Sequence, residues 1–262
     1  MEAEILVERR GPIGIVTLNR PEALNSVTGD MCELLVAECN ALNDDPEMRV
    51  IILTGAGKGF CAGLDLKKNT MSDPRRRSPY RMMHFEEHPF ARLRRMAIPI
   101  IAAVNGVAVG AGLGISLACD IRIMSESAKF GAGFIKMAMP PQDIIGYYLP
   151  QIVGLAKSLE IVLTGRMVGA AEAQDIGLVM ETTAPDALLD RAMELAGQIA
   201  EGPPMALAMA KQVIYRSFNK PIDDALAWQN LGTFLNTSYA KHDVDEAVTS
   251  FMEKRSPTFK GP

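Results

Sequence analysis

Residues 98–119 carry no charged side chain, and this 22-residue stretch constrains the fold more than any other feature of the sequence. A continuous apolar helix of that length would span a membrane. Pro99, Asn105 and four glycines interrupt the stretch, however, and Asp120 follows it directly. Because glycine and proline at this density end regular elements, we predict a buried strand over 98–104, a glycine-rich turn and a short helix over 113–118. No membrane association is expected.

Strand and helix patterns alternate through the first half of the chain. Short β-branched runs predict strands over residues 14–19, 50–54 and 121–124 in addition to 98–104. Apolar residues at helical spacing behind Thr28, a candidate cap, predict a helix over 31–42. This alternation up to about residue 126 is typical of the α/β class.

The second half of the chain has helical periodicity almost throughout. Predicted helices cover residues 155–163, 170–176, 186–200, 205–218, 222–239 and 244–251, with glycine or proline between them. The composition changes near residues 202–204. We therefore expect an α/β core over 1–200, followed by a helical region over 201–262 that packs on the core or on a partner subunit.

The small net charge argues against partners that bind through a strong positive electrostatic field. The chain has 27 Lys and Arg against 31 Asp and Glu, a net charge of −4, so neither nucleic acid nor an anionic membrane is an expected partner. Residues 74–95 are locally basic, with seven arginines against two glutamates. The four cysteines lie in apolar segments without zinc-site spacing, and no secretory signal opens the chain, so we expect reduced thiols and a cytoplasmic protein.

Two glycine-rich turns follow predicted strands, at residues 55–59 (GAGKG) and 110–114 (GAGLG). Such turns can present backbone N–H groups to an anion or to a carbonyl oxygen. The first lacks the Ser or Thr that holds magnesium in a phosphate-binding loop. The second lacks the glycine spacing of a dinucleotide site. Nucleotide binding of these two kinds is therefore disfavoured.

Two other motifs suggest different enzyme classes. Residues 84–88 (HFEEH) match the pattern of inverted zinc peptidases, with His84 and His88 as metal ligands. Pro89 and several arginines adjoin them, however, so a surface helix is the favoured interpretation. Residues 59–63 (GFCAG) resemble a nucleophile elbow with Cys61 in place of serine, as in a thiol acyl-transferase. Only three histidines could activate such a thiol. No metal site is expected.

One set of motifs covers nearly the whole chain. LNRP at 18–21, GKGFCAGLDL at 57–66, AAVNG at 102–106 and the dipeptide at 119–120 stand in this order, followed by AKFG at 128–131, LTG at 163–165, residues 173–179 and FMEKR at 251–255. Together they resemble the crotonase (enoyl-CoA hydratase/isomerase) superfamily. The resemblance implies a spiral of ββα turns, a C-terminal helical trimerisation region, and a homotrimer or homohexamer. It also implies an acyl-CoA substrate and no tightly bound cofactor.

The same resemblance implies the positions of the site. The two backbone N–H groups of the family's oxyanion hole fall on Leu64 and Ala111, where they would stabilise the negative oxygen of a thioester enolate. The coenzyme A (CoA) moiety would lie against Ala62, Gly63, Leu64, Asp65, Leu66 and Lys67. Phe251 and Lys254 of a neighbouring subunit would lie near its adenine end.

The sequence departs from the family's hydratases at both catalytic glutamates. The corresponding positions carry Gly114 and Phe134, neither of which can move a proton. Family isomerases use a single acid at a position that here is Gln142, with Asp143 beside it. Residues 112–118 look most like the aryl-CoA dehalogenase branch, which also places a carboxylate at about residue 142. Asp143 is therefore the candidate acid, or else the cap of a helix that follows it.

These departures favour double-bond isomerisation, or another reaction that needs one acid, over standard hydration. The alternatives are an aryl-CoA dehalogenase, an acyl-CoA hydrolase and a protein that binds acyl-CoA without catalysis, with a zinc peptidase on His84 and His88 more remote. Three origins of the proton-transfer group stay open: Asp143, the neighbouring Gln142, or a side chain within residues 84–88. The candidates in that segment are His84, Glu86, Glu87 and His88.

Overall fold

The computed structural model describes residues 3–68 and 88–261, which form ten strands and ten α-helices. The strands are β1 (Ile5–Arg10), β2 (Ile13–Leu18), β3 (Val50–Gly55), β4 (Gly59–Cys61), β5 (Ile100–Val104), β6 (Val107–Val109), β7 (Ile121–Ser125), β8 (Lys129–Gly131), β9 (Met167–Gly169) and β10 (Glu181–Thr183). The helices are α1 (Gly29–Asn43), α2 (Pro89–Arg95), α3 (Ala111–Ala118), α4 (Ile145–Val153), α5 (Leu155–Thr164), α6 (Ala170–Asp175), α7 (Leu188–Ala200), α8 (Pro204–Ser217), α9 (Ile222–Tyr239) and α10 (Lys241–Glu253). The candidate residues His84, Glu86 and Glu87 lie outside the described residues.

The larger sheet has six strands in the order β1-β2-β3-β5-β7-β10. Only the β1–β2 pair is antiparallel, and the other neighbours run parallel. Both faces of its central strands are buried: Ile101 and Ala103 of β5 pack with α7, whereas Ile100, Ala102 and Val104 enter the main core. Burial on both faces explains why residues 98–104 are apolar without alternation.

The smaller sheet has the order β4-β6-β8-β9. Three strands of the larger sheet are each followed along the chain by a strand of the smaller one, from β3 to β4, β5 to β6 and β7 to β8. Parallel pairing joins the successive strands within both sheets. The chain therefore winds as a spiral of ββα turns, and the predicted α/β class and spiral core are confirmed.

Most predicted elements are present, and the errors concern short strands. Residues 98–119 form β5, β6 and α3, and Thr28 caps α1 by accepting a hydrogen bond from the Met31 N–H at 3.1 Å. The expectation of a nearly all-helical second half is wrong, because β8, β9 and β10 interrupt it. Strands of three residues are too short to show a periodic pattern. Within the described residues, no helix has the length and apolar character that a membrane span requires.

Helix α8 contacts the core through a buried polar cluster. Lys211 of α8 lies 2.8 Å from the carboxylate of Asp120, which also accepts hydrogen bonds from the Tyr215 hydroxyl at 2.6 Å and the Ile100 N–H at 2.7 Å. Burial lowers the pKa of Lys211, and Asp120 opposes that shift. The carboxylate thus holds α8 against the sheet. The boundary between residues 200 and 201 stays a prediction.

Removing this carboxylate should destabilise the protein strongly. Asp120→Ala leaves the buried Lys211 ammonium without its counter-charge, so we expect a loss of about 3–5 kcal/mol in the free energy of unfolding. The control is Glu33→Ala, which breaks an exposed pair with Arg92 and should cost at most about 1 kcal/mol. Urea denaturation at one protein concentration measures both. Equal losses in the two variants would show that the cluster does not brace α8.

Candidate active site

The first half of the site is the turn after β4. Gly63 has φ of 104°, a backbone conformation that favours glycine. A parallel bridge holds the turn against Val27, whose N–H donates to the Gly63 carbonyl and whose carbonyl accepts from the Asp65 N–H, both at 2.8 Å. The bridge uses the Gly63 carbonyl and the Asp65 N–H, which lie on either side of Leu64 in the chain. Within residues 3–68 and 88–261, the Leu64 N–H has no hydrogen-bond acceptor.

The second half is the glycine-rich turn before α3. Gly110 has φ of 53° and its N–H donates to Gly131, so that α3 begins at Ala111. The first N–H groups of a helix have no partner within it, and the helix dipole makes that end positive. No acceptor for the Ala111 N–H is found in the part of the chain that the structure describes. Ala111 therefore presents an unpaired donor at a positive helix end.

These two turns lie against each other. A Cβ built on Gly63 would come 2.9 Å from the Val109 carbonyl oxygen and 3.9 Å from the Ala111 nitrogen. A Cβ on Gly112 would overlap the Cys61 carbonyl group, so glycine at this position lets α3 approach β4 closely. Two adjacent backbone donors without acceptors can stabilise a negative oxygen. The structure thus brings the turns that carry Leu64 and Ala111 together, and the oxyanion-hole role of these two residues stays a prediction.

Asp143 lies beside the same helix. A Cβ on Gly114, one turn into α3, would come 2.9 Å from the Asp143 Cβ and 2.7 Å from its carbonyl oxygen. Both Asp143 and Ile144 have positive φ, 55° and 64°, which is unusual for a β-branched residue such as Ile144. This sharp bend directs Asp143 toward α3. Ile144 is the N-cap of α4, so the helix-cap interpretation of Asp143 is wrong, and the neighbouring Gln142 is exposed.

His88 faces Asp143 across the site. Its Nε2 lies 3.5 Å from Oδ1 of Asp143, and both side chains are partly buried. The Nδ1 atom accepts a hydrogen bond from the Phe90 N–H at 3.3 Å, which caps α2. Because a neutral imidazole carries one proton, this bond places the hydrogen on Nε2, toward the carboxylate. The two residues form an imidazole–carboxylate pair.

The walls behind this pair are apolar. The Phe134 ring lies in a 3₁₀ turn over Gly133–Met137, and a Cβ on Gly110 would be 3.8 Å from its Cζ atom. Cys61 is fully buried beneath the turns that carry Leu64 and Ala111. Burial raises the pKa of its thiol to about 12, and the nearby Asp143 carboxylate adds to the rise. A thiol with that pKa is a poor nucleophile, so the alternative of a thiol acyl-transferase is not supported.

The model of the enoyl-CoA hydratase/isomerase family matches residues 8–262. The chain belongs to this family. It is 35% identical over 255 residues to a probable enoyl-CoA hydratase of Mycobacterium tuberculosis (strain CDC 1551 / Oshkosh), with 97% of each chain covered. It is 36% identical over 250 residues to the 1,2-epoxyphenylacetyl-CoA isomerase of Escherichia coli (strain K12), with 94% of each covered. The crystal structure of an enoyl-CoA hydratase from Bacillus anthracis is similar, with a TM-score of 0.89 and 31% identity over 99% of this chain and 100% of that one.

These matches confirm the resemblance to the crotonase superfamily and show that the protein is one of its enzymes. The positions expected to contact CoA surround the first turn of the site. Leu66 and Lys67 are exposed, whereas Ala62 is partly buried. Phe251 and Lys254, at the end of α10, are exposed on a different part of the chain.

The carboxylate of Asp65, another expected CoA contact, already has partners within the chain. It lies 2.7 Å from an Arg20 guanidinium nitrogen and accepts the N–H groups of Lys67 and Lys68, both at 3.0 Å. The Arg20 hydrogen bond lowers the pKa of this carboxyl group below its usual range. Asp65 therefore holds the turn that follows Leu64.

The His88–Asp143 contact is the feature of the site that the sequence did not reveal. The two residues are 55 positions apart, and the HFEEH motif drew attention to a metal site instead. His84 of that motif lies outside the described residues, and within 3–68 and 88–261 no group of three or more His, Cys, Asp or Glu side chains is arranged to hold a metal ion. The one available signal was Gly114, whose missing side chain leaves room for another residue beside α3.

Adding a methyl group at Gly63 should disturb the oxyanion-hole turn. Gly63→Ala forces an unfavourable φ and a 2.9 Å contact with the Val109 carbonyl, so we expect the free energy of unfolding to fall by about 1–3 kcal/mol. Gly29→Ala is the control, because nothing lies within 4 Å of its added Cβ at the start of α1; it should be neutral or stabilising by about 0.5–1 kcal/mol. Chemical denaturation of both variants tests this expectation. A Gly63→Ala protein as stable as Gly29→Ala would contradict it.

Proposed function

We propose that this enzyme acts on an acyl-CoA thioester and moves a double bond within the acyl group, using Asp143 as its acid and base. The observation that carries the proposal is the position of Asp143 beside Gly114, one helical turn beyond the Ala111 donor and facing His88. The family's hydratases, as the resemblance implies, bear a glutamate at the position of Gly114. Here the carboxylate beside α3 comes from a different segment.

The two backbone donors supply the first part of the chemistry. Hydrogen bonds from Leu64 and Ala111 to the thioester oxygen would stabilise the negative charge that forms when a proton leaves the adjacent carbon. Removing one such donor in other enzymes costs about 100-fold to 1,000-fold in rate. The helix dipole of α3 adds to the effect, because Ala111 lies at its positive end.

One carboxylate is enough for the remaining steps. Asp143 would take the proton from the carbon next to the thioester, and the electron pair of that C–H bond would form a double bond to the carbonyl carbon as the carbonyl π electrons move onto the thioester oxygen. The product is a dienolate, because the new double bond is conjugated with the existing one. The carboxylic acid would then return its proton to the far carbon of the dienolate, which restores the carbonyl and completes the shift. The His88 Nε2–H, facing Oδ1, would orient the carboxylate.

Hydration has no comparable support. Adding water to a conjugated double bond requires one group to activate the water and another to protonate the carbon. Gly114 has no side chain, and Phe134 lines the site with carbon atoms only. We therefore propose that Asp143 works as the single acid.

CoA would bind along the turn at residues 62–67. The proposed contacts are Ala62, Gly63, Leu64, Leu66 and Lys67, with Asp65 holding the turn as described. Lys67 is exposed and suited to phosphate as a point charge. Phe251 and Lys254 of a neighbouring subunit are proposed to complete the adenine end. No tightly bound cofactor enters the proposal.

Replacing the carboxylate by an amide should remove the activity selectively. Asp143→Asn is expected to lower kcat on a 3-enoyl-CoA by at least about 100-fold, because general acid–base groups contribute about 100-fold to 10,000-fold. Gln142→Ala, at the exposed neighbouring position, is the control and should retain the parent rate. Initial rates on 3-enoyl-CoA, crotonyl-CoA and aryl-CoA thioesters provide the measurement. Rapid crotonyl-CoA hydration that survives Asp143→Asn would refute the assignment.

The imidazole–carboxylate pair also favours a second candidate, hydrolytic dehalogenation of a haloaryl-CoA. The Asp143 carboxylate would add to the ring carbon that bears the halogen, with the negative charge carried into the thioester oxygen, and halide would leave. Water would then add to the carboxyl carbon of the resulting aryl ester, with a proton passing to the departing aryl oxygen, and Asp143 would be regenerated while the His88 Nε2–H orients it. Halide release from a 4-halobenzoyl-CoA, abolished in Asp143→Asn and lowered in His88→Gln, would select this reaction over isomerisation. Binding of acetoacetyl-CoA with no turnover of any thioester would indicate a protein without catalysis.

The proposed assembly is a homotrimer or a homohexamer. Large apolar side chains remain exposed along the C-terminal helices, among them Ile214, Ile222, Phe234, Val248 and Phe251. Burying them against further copies would remove apolar surface from water. Light scattering at micromolar concentration should give three or six times the chain mass of 28.4 kDa, and Phe234→Asp should lower that mass. A parent protein that scatters as a single chain would exclude the assembly.

A further inference from the structure

Arg94, near the end of α2, lies between two tyrosine rings. Its guanidinium carbon is 4.3 Å from the ring centroid of Tyr148 on α4 and 4.1 Å from that of Tyr215 on α8. A guanidinium at these distances is attracted to the faces of both rings. One side chain therefore joins three helices that are remote in sequence.

The two polar groups of the site stand directly before the helices that carry Arg94 and Tyr148. His88 caps the beginning of α2, six residues before Arg94, and Asp143 lies two residues before the first residue of α4 and five before Tyr148. The α2 and α4 segments thus touch at two places, through His88 and Asp143 at one end and through Arg94 and Tyr148 at the other. Because each polar group is at most two residues from its helix, a shift of one helix against the other at the second contact would change the separation of the two groups at the first.

The other side of the guanidinium is held by the core. The Tyr215 hydroxyl donates to Asp120 at 2.6 Å, and the same carboxylate pairs with Lys211. The Tyr215 ring is therefore held in place. Because Arg94 contacts both rings, the position of Tyr215 constrains that of Tyr148. The stack of Tyr148, Arg94 and Tyr215 is thereby connected to the larger sheet, because Asp120 also accepts a hydrogen bond from Ile100 of β5.

Arg94 also contacts the helix that carries the oxyanion-hole donor. Its terminal nitrogen Nη1 donates to the carbonyl groups of Leu117 at 2.8 Å and Cys119 at 3.2 Å, at the end of α3 opposite to Ala111. A positive group at this end complements the helix dipole. The Arg94 Nε atom, in contrast, is buried without a hydrogen-bond partner within residues 3–68 and 88–261. The ring contacts and the Nη1 hydrogen bonds therefore hold the guanidinium in place.

We propose that Arg94 is a positioning residue that holds His88 opposite Asp143 by stacking between Tyr148 and Tyr215. The proposal rests on the proposed function, because it treats the His88–Asp143 pair as the acid–base group. Arg94 does not act on the substrate. It sets the geometry of the two residues that do, and it ties that geometry to α3 and α8.

The test removes the ring of Tyr148 and compares the effect with that of removing the neighbouring ring of Tyr147. Tyr148→Leu deletes one face of the stack, Tyr148→Phe keeps it, and Tyr147→Leu alters an exposed ring that contacts Tyr148 edge-on rather than Arg94. We expect kcat of Tyr148→Leu to fall at least about tenfold with KM changed less than about twofold, since an ångström of misplacement can cost about 100-fold. Tyr148→Phe and Tyr147→Leu should stay within about twofold of the parent.

A second measurement follows the pair itself without turnover. The ring nitrogens of His88, assigned by comparison with His88→Gln, give ¹⁵N resonances that report hydrogen bonding at Nε2. The change in Asp143→Asn defines the signature of a lost contact, and Tyr148→Leu should reproduce it while Tyr147→Leu should not. If Tyr148→Leu does not fold, Tyr148→Met, which retains bulk without a ring, replaces it in both measurements.

The proposal is overturned if Tyr148→Leu keeps the parent kcat and the parent Nε2 resonance, or if Tyr148→Phe loses as much as Tyr148→Leu. If the proposed function itself is wrong, the experiments give a result that can be told apart from failure of the Arg94 proposal. In that case Asp143→Asn retains full activity, or the parent turns over no thioester, while the ¹⁵N comparison still decides whether the Arg94 stack controls His88.

Discussion

The close approach of α3 to β4 is the constraint on which the site depends. Gly112 packs on the Cys61 carbonyl group with no room for a side chain, and Gly63 packs in the same way on Val109. Each contact needs a glycine, and together they bring the Leu64 and Ala111 donors to neighbouring positions. A larger residue at either glycine would separate the two turns. The spiral of two parallel sheets supplies the frame, because β4 and β6 are adjacent strands of the smaller sheet.

The buried environment of α3 has an electrostatic consequence. All eight of its residues are buried, so its last carbonyl groups cannot be solvated and need internal donors. Arginines provide them: Arg94 donates to Leu117 and Cys119, and Arg122 donates to Ser116 and Cys119. Burial lowers the pKa of Arg122. Two cations thus offset the negative end of the helix whose positive end faces the proposed thioester oxygen.

The sequence predicted the parts of the fold and site that depend on local pattern. The uncharged run at residues 98–119 predicted β5 and α3 because glycine and proline mark their ends, and the motifs around Leu64 and Ala111 pointed to two turns that the structure places together. The placement of Asp143 beside Gly114 could not be found from spacing, because the chain there passes through two consecutive residues with positive φ. The pairing of His88 with Asp143 and the stacking of Arg94 come from tertiary packing of α2 on α4 and α8, for which a single sequence carries no periodic signal.

The bend at Asp143 and Ile144 places the proposed acid on a different segment from the backbone donors. Stabilisation of the thioester oxygen and proton transfer are therefore assigned to separate parts of the chain. The proposed oxyanion hole uses backbone groups of α3 and of the turn after β4, whereas the proposed acid lies on a connecting segment before α4. Backbone donors do not depend on side-chain identity, so the thioester-polarising apparatus is preserved whatever the connecting segment carries. Specialisation toward a new reaction can therefore proceed by exchanging residues in that segment, with the enolate-stabilising half of the enzyme left untouched.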